Sequence, residues 1–166
     1  MLRLRPYKIS DAKYMINWIK DEKTFAKWCA NLIPYPLTEE VLHEYRNKYE
    51  DDTEKFLFTA INEIGTPLGH FLMKMVDNEE RVHLCFVIVD SSKRNKGYGK
   101  EMLKLAITYA FKILKVSKVT LSVFDNNPIA YNCYKALGFI EEPGKEKEFL
   151  YKDEAWNTYY MSLSAK

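Results

Sequence analysis

An apolar strand that runs into a short basic loop, with its glycines at the mouth of a helix, constrains this chain more than any other feature. The segment is Val87-Ile88-Val89-Asp90-Ser91-Ser92-Lys93-Arg94-Asn95-Lys96-Gly97-Tyr98-Gly99-Lys100. Gly97 and Gly99 let backbone approach a ligand closely, and a helix starting there aims unpaired N–H groups and the positive end of its dipole at the same point. Lys93, Arg94, Lys96 and Lys100 add positive charge, so the segment reads as an anion cradle. The alternative is a solvated basic turn before an ordinary helix, which is what an isolated Gly-x-Gly usually marks. Two phosphate-binding patterns are excluded by counting. A Walker A loop ending at Lys100 requires glycine at the position of Arg94 and Ser or Thr at that of Glu101. A dinucleotide fingerprint starting at Gly97 requires a small residue at the position of Met102.

Arg94-x-x-Gly97-x-Gly99 resembles the Arg/Gln-x-x-Gly-x-Gly/Ala signature of the GCN5-related N-acetyltransferases, whose loop holds the pyrophosphate of coenzyme A. A second segment resembles the same family independently and follows at the expected distance. Asn127-Pro128-Ile129-Ala130-Tyr131-Asn132-Cys133-Tyr134-Lys135-Ala136-Leu137-Gly138-Phe139 is similar to the family pattern Asn-x-x-Ala-x-x-x-Tyr-x-x-x-Gly-Phe. Asn127 suits an N-cap, Pro128 a first helical turn, and Gly138 the residue just past a helix end. Tyr131 and Tyr134, three apart, share one side of that helix. On residue type alone, Tyr134 would be an aromatic packing the helix on a sheet.

The remaining features fit one globular domain spanning residues 1–166. A chain of this length buries roughly 70% of the surface exposed when unfolded. With 29% charged residues and no long apolar run, a membrane-spanning helix is not expected, and no signal-peptide pattern follows Met1. A cytoplasmic protein is therefore expected. The formal charge of +2 gives no argument for nucleic acid. Cys29, Cys85 and Cys133 lack CxxC spacing, which points to reduced, mostly buried thiols rather than a disulfide framework or a metal site.

Leu2 to Arg5 alternates like a short strand closed by Pro6, and Ser10 or Asp11 is placed to cap a helix carrying Ala12, Met15, Ile16 and Ile19. Asp21 to Leu37 reads as irregular, and Thr38-Glu39-Glu40 as the start of a helix with Leu42, Tyr45 and Tyr49 on one face. Phe56–Ile61 and Leu68–Met75 form an expected hairpin, and a turn at Asp77-Asn78-Glu79 leads to the strand Arg81–Val89. Met102, Leu103, Ala106, Ile107, Ala110, Ile113 and Leu114 form a helical stripe that precedes a strand at Val119–Phe124. The intervening helix makes that strand parallel to Arg81–Val89. Two further strands are expected at Glu148–Tyr151 and Trp156–Leu163. The fold class is α+β, a mixed α/β arrangement. The resemblance implies a mostly antiparallel sheet of six to seven strands with one parallel splayed pair, flanked by about four helices.

The resemblance also implies an acetyl-CoA-dependent N-acetyltransferase, with no metal, that acts by direct transfer in a ternary complex. Backbone of Val87, Ile88 and Val89 would meet pantetheine and the thioester. N–H groups of Asn95, Lys96, Gly97, Tyr98, Gly99 and Lys100, beside Arg94, would meet the pyrophosphate, and Asn127 would touch the cofactor arm. Tyr134 would protonate the departing thiolate. His83, counted back from Arg94, occupies the place of a catalytic glutamate in the histone-acetylating branch, which makes it the candidate base; a hydrogen-bonded wall residue is the other reading. Alternation puts it on one face with Cys85 and Val87. His43 and His70 read as structural.

The acceptor that the resemblance implies is a primary amine of a small molecule or a peptide N-terminus. The opening Leu4-Arg5-Pro6, Asp11-Ala12 and Trp18 is similar to the branch that acetylates ribosomal-protein N-termini and that includes antibiotic and polyamine acetylating relatives. Asp21, Glu22, Glu39 and Glu40 either attract a cationic amine or answer helix dipoles, and Trp28, Tyr35 and Trp156 either line an acceptor pocket or support its walls. A homodimer is compatible with this reading. A non-catalytic CoA-binding sensor or partner-binding module on the same fold is the alternative function.

Overall fold

The computed structural model describes residues 1–76 and 80–165. The turn expected at Asp77-Asn78-Glu79 lies outside the described residues. Strands β1 (Arg3–Pro6), β2 (Lys55–Ile61), β3 (Pro67–Val76), β4 (Arg81–Val89), β5 (Lys118–Phe124), β6 (Ile140–Glu141), β7 (Glu148–Tyr151) and β8 (Glu154–Ser164) form a sheet in the order β1-β2-β3-β4-β5-β8-β6, with β7 also on β8. Every pairing is antiparallel except β4 with β5. The sheet is thus one strand larger than expected, because the two-residue β6 is too short to leave a period in the sequence.

Five α-helices cover the two faces among the described residues: α1 (Ala12–Trp18), α2 (Glu22–Cys29), α3 (Glu39–Asn47), α4 (Tyr98–Tyr109) and α5 (Pro128–Lys135). The stretch expected to be irregular contains α2. Asp21 caps it by accepting from Thr24 N at 2.8 Å, and Phe25, Ala26, Trp28 and Cys29 form its buried side. That spacing was legible, but only over two turns. Thr38 caps α3, as the sequence suggested. Of the two caps expected for α1, Ser10 or Asp11, it is Asp11 that stands at the N-cap, and its side chain makes no cap bond there. It takes both Arg5 guanidinium nitrogens at 2.7 Å, together with Lys8 N and the Thr59 hydroxyl. Burial pushes this carboxyl up, but those donors outweigh it and hold Asp11 below the usual carboxylate range. One buried ion pair therefore ties β1 and the turn before α1 to β2.

Side-chain alternation divides the core in two. Phe58, Phe71, Met73, Val82, Leu84, Val119, Leu121 and Met161 face α4 and α5, where Met102, Leu103 and Ala106 are fully or nearly fully buried. Each such side chain contributes roughly 1.5–3 kcal/mol by leaving water. The other face is covered by α1, α2 and α3 through Met15, Trp18, Phe25, Trp28 and Tyr45. The stripe on α4 does not run to its expected end. A π-turn at Ala110–Leu114 shifts the helical phase and leaves Ile113 63% exposed.

His70 on β3 is fully buried, with Nε2 2.9 Å from the Tyr45 hydroxyl. Burial pushes its imidazole down to about 3. An unfolded chain therefore binds a proton here below about pH 6.5 that the folded one refuses, so stability falls with pH at up to about 1.4 kcal/mol per unit. Urea titrations of His70→Gln between pH 7 and 5 should show lower stability at pH 7 but a shallower loss toward pH 5. An unchanged slope would assign the acid sensitivity to other groups.

Candidate active site

The parallel pair β4–β5 is joined only at its start. Arg81, Val82, His83 and Leu84 face Lys118, Val119, Thr120 and Leu121, and there the ladder ends. Beyond that point β5 stays on β8 as far as Phe124 opposite Thr158, while β4 stays on β3 as far as Val89 opposite Gly69. The strands separate because β4 carries an extra residue. Leu72 pairs with Cys85 and His70 with Ile88, so Phe71 alone faces both Phe86 and Val87. Phe86 takes φ +52°, a left-handed backbone rare for an aromatic residue and typical of a bulge that bends its strand. The Trp28 indole N–H donates to the Phe86 carbonyl at 2.8 Å, satisfying a polar group that the bulge withdraws from the ladder. The bulge also resets alternation. Val87 packs with Val89 on the α4 side, whereas Phe86 and Ile88 pack toward α1–α3. Val87 is therefore not on the face of His83 and Cys85 that strict alternation predicted.

The opening is a cleft of about 220 Å³ whose lining includes Trp28, Val87, Val123, Asn127 and Tyr134. Where the chain leaves β4 and enters α4, Asn95 and Gly97 both have left-handed backbone, at φ +60° and +83°. Gly97 is the N-cap of α4, and the first i→i−4 bond comes from Glu101 N to Gly97 O at 3.0 Å. N–H groups ahead of it face out of the helix end. A side chain at Gly97 would have open space but a strained backbone; one at Gly99 would meet Val89 Cγ2 at 3.6 Å, an ordinary contact. Arg94, Lys96 and Lys100 are exposed around this end.

α5 begins with Asn127, whose side chain accepts from Ala130 N, and Pro128 stands in its first turn. It ends as the sequence suggested. Phe139 N donates to Tyr134 O at 3.1 Å and Gly138 N to Lys135 O at 3.0 Å, the paired bonds of a Schellman stop, with Gly138 at φ +95°. Tyr134 is thereby held by its own carbonyl as well as by its ring, which meets Phe139 edge-on. Burial raises its phenol well above the ordinary range, so it keeps its proton at neutral pH.

On the opposite wall, His83 Nδ1 lies 2.9 Å from the Thr120 hydroxyl, which itself donates to Val82 O at 3.1 Å. With its one proton committed, Thr120 accepts from His83. Nδ1 therefore carries the ring proton and Nε2 offers a lone pair. Burial, followed by the charges of Arg81, Lys74 and Lys147, pushes the imidazole down to about 4. His83 is thus neutral around pH 7, where its unperturbed value would leave roughly a quarter of the rings charged.

Of the remaining candidates, Trp28 lines the cleft, while Trp156 stacks on Tyr151 in the β7–β8 hairpin and Tyr35 is half-exposed against Phe25. Asp21 caps α2 and Glu22 pairs with Lys152 at 2.8 Å, which accounts for these acids structurally. Glu39 and Glu40 fill the first turn of α3, and His43 is exposed on that helix. The three cysteines are free thiols; Cys29 is buried, whereas Cys85 and Cys133 are only partly so. Sequence reasoning missed Thr120, whose place opposite His83 depends on register, and the bulge, hidden in an unbroken apolar run.

A family model described as the acetyltransferase (GNAT) family matches residues 13–139, and the chain belongs to that family. It is 26% identical to a spermidine N(1)-acetyltransferase of Vibrio cholerae over 89% of this chain and 84% of the relative. It is 29% identical to the L-amino acid N-acetyltransferase AaaT of Escherichia coli, over 59% of this chain and 62% of that protein. A crystal structure of the V. cholerae spermidine N-acetyltransferase in complex with CoA and spermine shares the fold, with a TM-score of 0.84 at 22% identity across 98% of this chain and 95% of that one. No helix among the described residues is long and apolar enough to cross a membrane.

Gly99 offers the cleaner test of the cradle, because its Cβ direction is free of close contacts. Calorimetry on Gly99→Val should show acetyl-CoA affinity at least about tenfold weaker, from the loss of close backbone approach to an anion. The circular-dichroism spectrum should be unchanged. Full affinity in the variant would move the anion elsewhere.

Proposed function

We propose that the cleft between β4 and β5 is where this acetyltransferase moves an acetyl group from acetyl-CoA to a primary amine of a small molecule, by direct transfer in a ternary complex, with residues 1–166 acting as one domain. The observation that carries the reading is that an open anion cradle and a buried, protonated Tyr134 flank the same unpaired strand edge. The residues present suit the cosubstrate. The N–H groups of Asn95 to Lys100, with Arg94 beside them, hold the pyrophosphate. The edge of Val87, Ile88 and Val89 that β5 has left holds the pantetheine amides, and Asn127 sits against the same arm. When bound, acetyl-CoA supplies an activated thioester.

The chain's own groups then handle two protons. His83 Nε2 accepts from the attacking amine, its ring fixed by the Nδ1–H bond to Thr120. Tyr134 gives its phenolic proton to the leaving group, which burial keeps available for that moment. A CoA-binding sensor with the same fold would have no need of a protonated phenol facing the cleft, and this favours catalysis. A peptide N-terminus presents the same attacking group as a small amine and belongs in the acceptor panel.

Thiol release from acetyl-CoA, followed with small amines and a short peptide, tests the reading directly; bound CoA with no turnover on any acceptor would leave the sensor. Tyr134→Phe should keep cosubstrate affinity and lower kcat by about 10²-fold, the scale of losing an acid catalyst. Wild-type kcat, with chemistry rate-limiting, would reduce Tyr134 to packing.

His83 is neutral above about pH 4, so its own titration should add no limb to the wild-type profile between pH 5 and 8. His83→Ala should lower turnover near pH 7 and recover as rising pH deprotonates the acceptor. A constant deficit across the profile would make His83 a wall of the site.

A further inference from the structure

The two halves of the cleft lining suit different guests. Val87, Val123 and Tyr134 lie on the α4 side of the sheet, against the edge assigned above to pantetheine. The lining on the α1–α3 side is left for the acceptor, and it begins at the proposed base. Because Val82 and Leu84 face α4, His83 and Cys85 face the other way, and the bulge adds Phe86 to that side. His83, Cys85 and Phe86 thus follow one another along β4, while α2 and the turn after it contribute Trp28 and Leu32 to the same lining.

This wall is apolar. Among the described residues that line the cleft, Lys27 is the one fully charged at pH 7, and its ammonium donates to the Asn126 carbonyl at 3.0 Å. Burial pushes the Cys85 thiol up to about 11 and raises that of Cys29, so both keep their protons and neither offers an anion. Two acids on the flanking elements are committed to lysines: Glu154 holds Lys23 at 2.7 Å, and Glu22 holds Lys152 at 2.8 Å.

The turn after α2 extends the wall at a conformational cost. Ala30 and Asn31 both take left-handed backbone, at φ +48° and +55°, although neither is glycine. Ala30 N donates to Ala26 O at 2.7 Å and Leu32 N to Cys29 O at 2.9 Å, which holds the reversal in place. It sends Ile33 into the α1–α3 core and leaves Leu32 lining the cleft while 72% exposed. Strain that keeps a leucine in water beside a cleft is recovered when an apolar group covers that side chain.

We propose that this wall selects the acceptor, and that the acceptor is a primary monoamine on a short hydrocarbon body, its amine at His83 Nε2 and its body against Phe86, Trp28 and Leu32. The inference rests on the transferase reading above and narrows its substrate class. A body of a few carbons gains by leaving water on such a wall, whereas a second ammonium would shed its hydration with no anion to replace it. The cleft volume of about 220 Å³, part of which the thioester end takes, keeps that body short.

The test measures acetyl transfer by the full chain to the n-alkylamines from ethylamine to pentylamine, whose basicity is nearly constant, and to phenethylamine, putrescine, spermidine and a tripeptide beginning with leucine. Putrescine places an ammonium where pentylamine has its methyl group. Along the alkyl series kcat/KM should rise by about fourfold per methylene, the scale of burying one such group. Pentylamine should exceed putrescine by about tenfold or more, and its ratio to phenethylamine separates aliphatic from aromatic bodies. Leu32 is exposed, so its substitution spares the core. Leu32→Ala should flatten the series, mainly through the KM of the longer amines, and Leu32→Glu should narrow the gap between pentylamine and putrescine. A flat wild-type series, preference for putrescine, spermidine or the tripeptide, or a slope and gap that neither Leu32 variant moves, would overturn the inference and leave the transferase intact. Transfer to no amine would remove both.

Discussion

The early end of the β4–β5 ladder is the feature on which the site depends. A parallel pair buried in a sheet normally keeps its backbone partners, because unpaired N–H and C=O groups away from water are costly. Here β4 gives up its pairing with β5 beyond Leu84, and the extra residue at Phe86 bends it away from that strand. The resulting cost is offset locally: Trp28 donates to the Phe86 carbonyl, and Phe86 packs between Trp28 and Tyr45, with ring centroids at 5.8 and 5.6 Å. Strain is concentrated at one residue and held by a packed aromatic cluster, as expected where a strand edge must be kept open for a ligand. The edge that β5 leaves is then available to the amides of an extended molecule.

Around that opening, the fold keeps opposite kinds of electrostatics on its two sides. On the α4 side, exposed Arg94, Lys96 and Lys100 surround a helix end, a solvated arrangement for drawing in a multiply charged anion. Within the cleft, by contrast, His83 and Tyr134 are desolvated, and burial is the first cause of both shifts: imidazole is pushed down and phenol up. Both groups are thereby neutral near pH 7, one with a lone pair and one with a proton, which is the pairing a direct transfer needs. The Thr120 hydroxyl links the two strands at this point, fixing the histidine tautomer through its bond to Val82 O.

The legible parts of the site were those carried by local chemistry. The glycine loop, the N-cap at Asn127, Pro128 in the first turn and the stop at Gly138 each depend on a few consecutive residues, and all took the expected conformations. Strand β5 also followed its period, as did β4 up to Cys85. The failures have a common cause. Asp11 looks like a cap in sequence, yet Arg5, brought alongside by the path of β1, competes for its carboxylate. α2 was hidden by its brevity, Ile113 was moved by a π-turn, and Val87 was put on the wrong face by a bulge that leaves no mark in a run of apolar residues.

What the sequence by itself determined is therefore the family, the order of elements and the two motifs that follow β4 and β5, because backbone preferences of glycine, proline and capping residues act over one or two turns. Tertiary structure alone decided which side chains share the sheet face of His83. His83 meets Thr120 through a parallel register, Arg81 meets Tyr160 across β4, β5 and β8, and Lys147 is brought over the same face by Thr158. These partners are 37, 79 and 11 residues apart. Electrostatic fields depend on distance in space and on the water excluded between groups, and neither quantity is written in the spacing of residues along the chain.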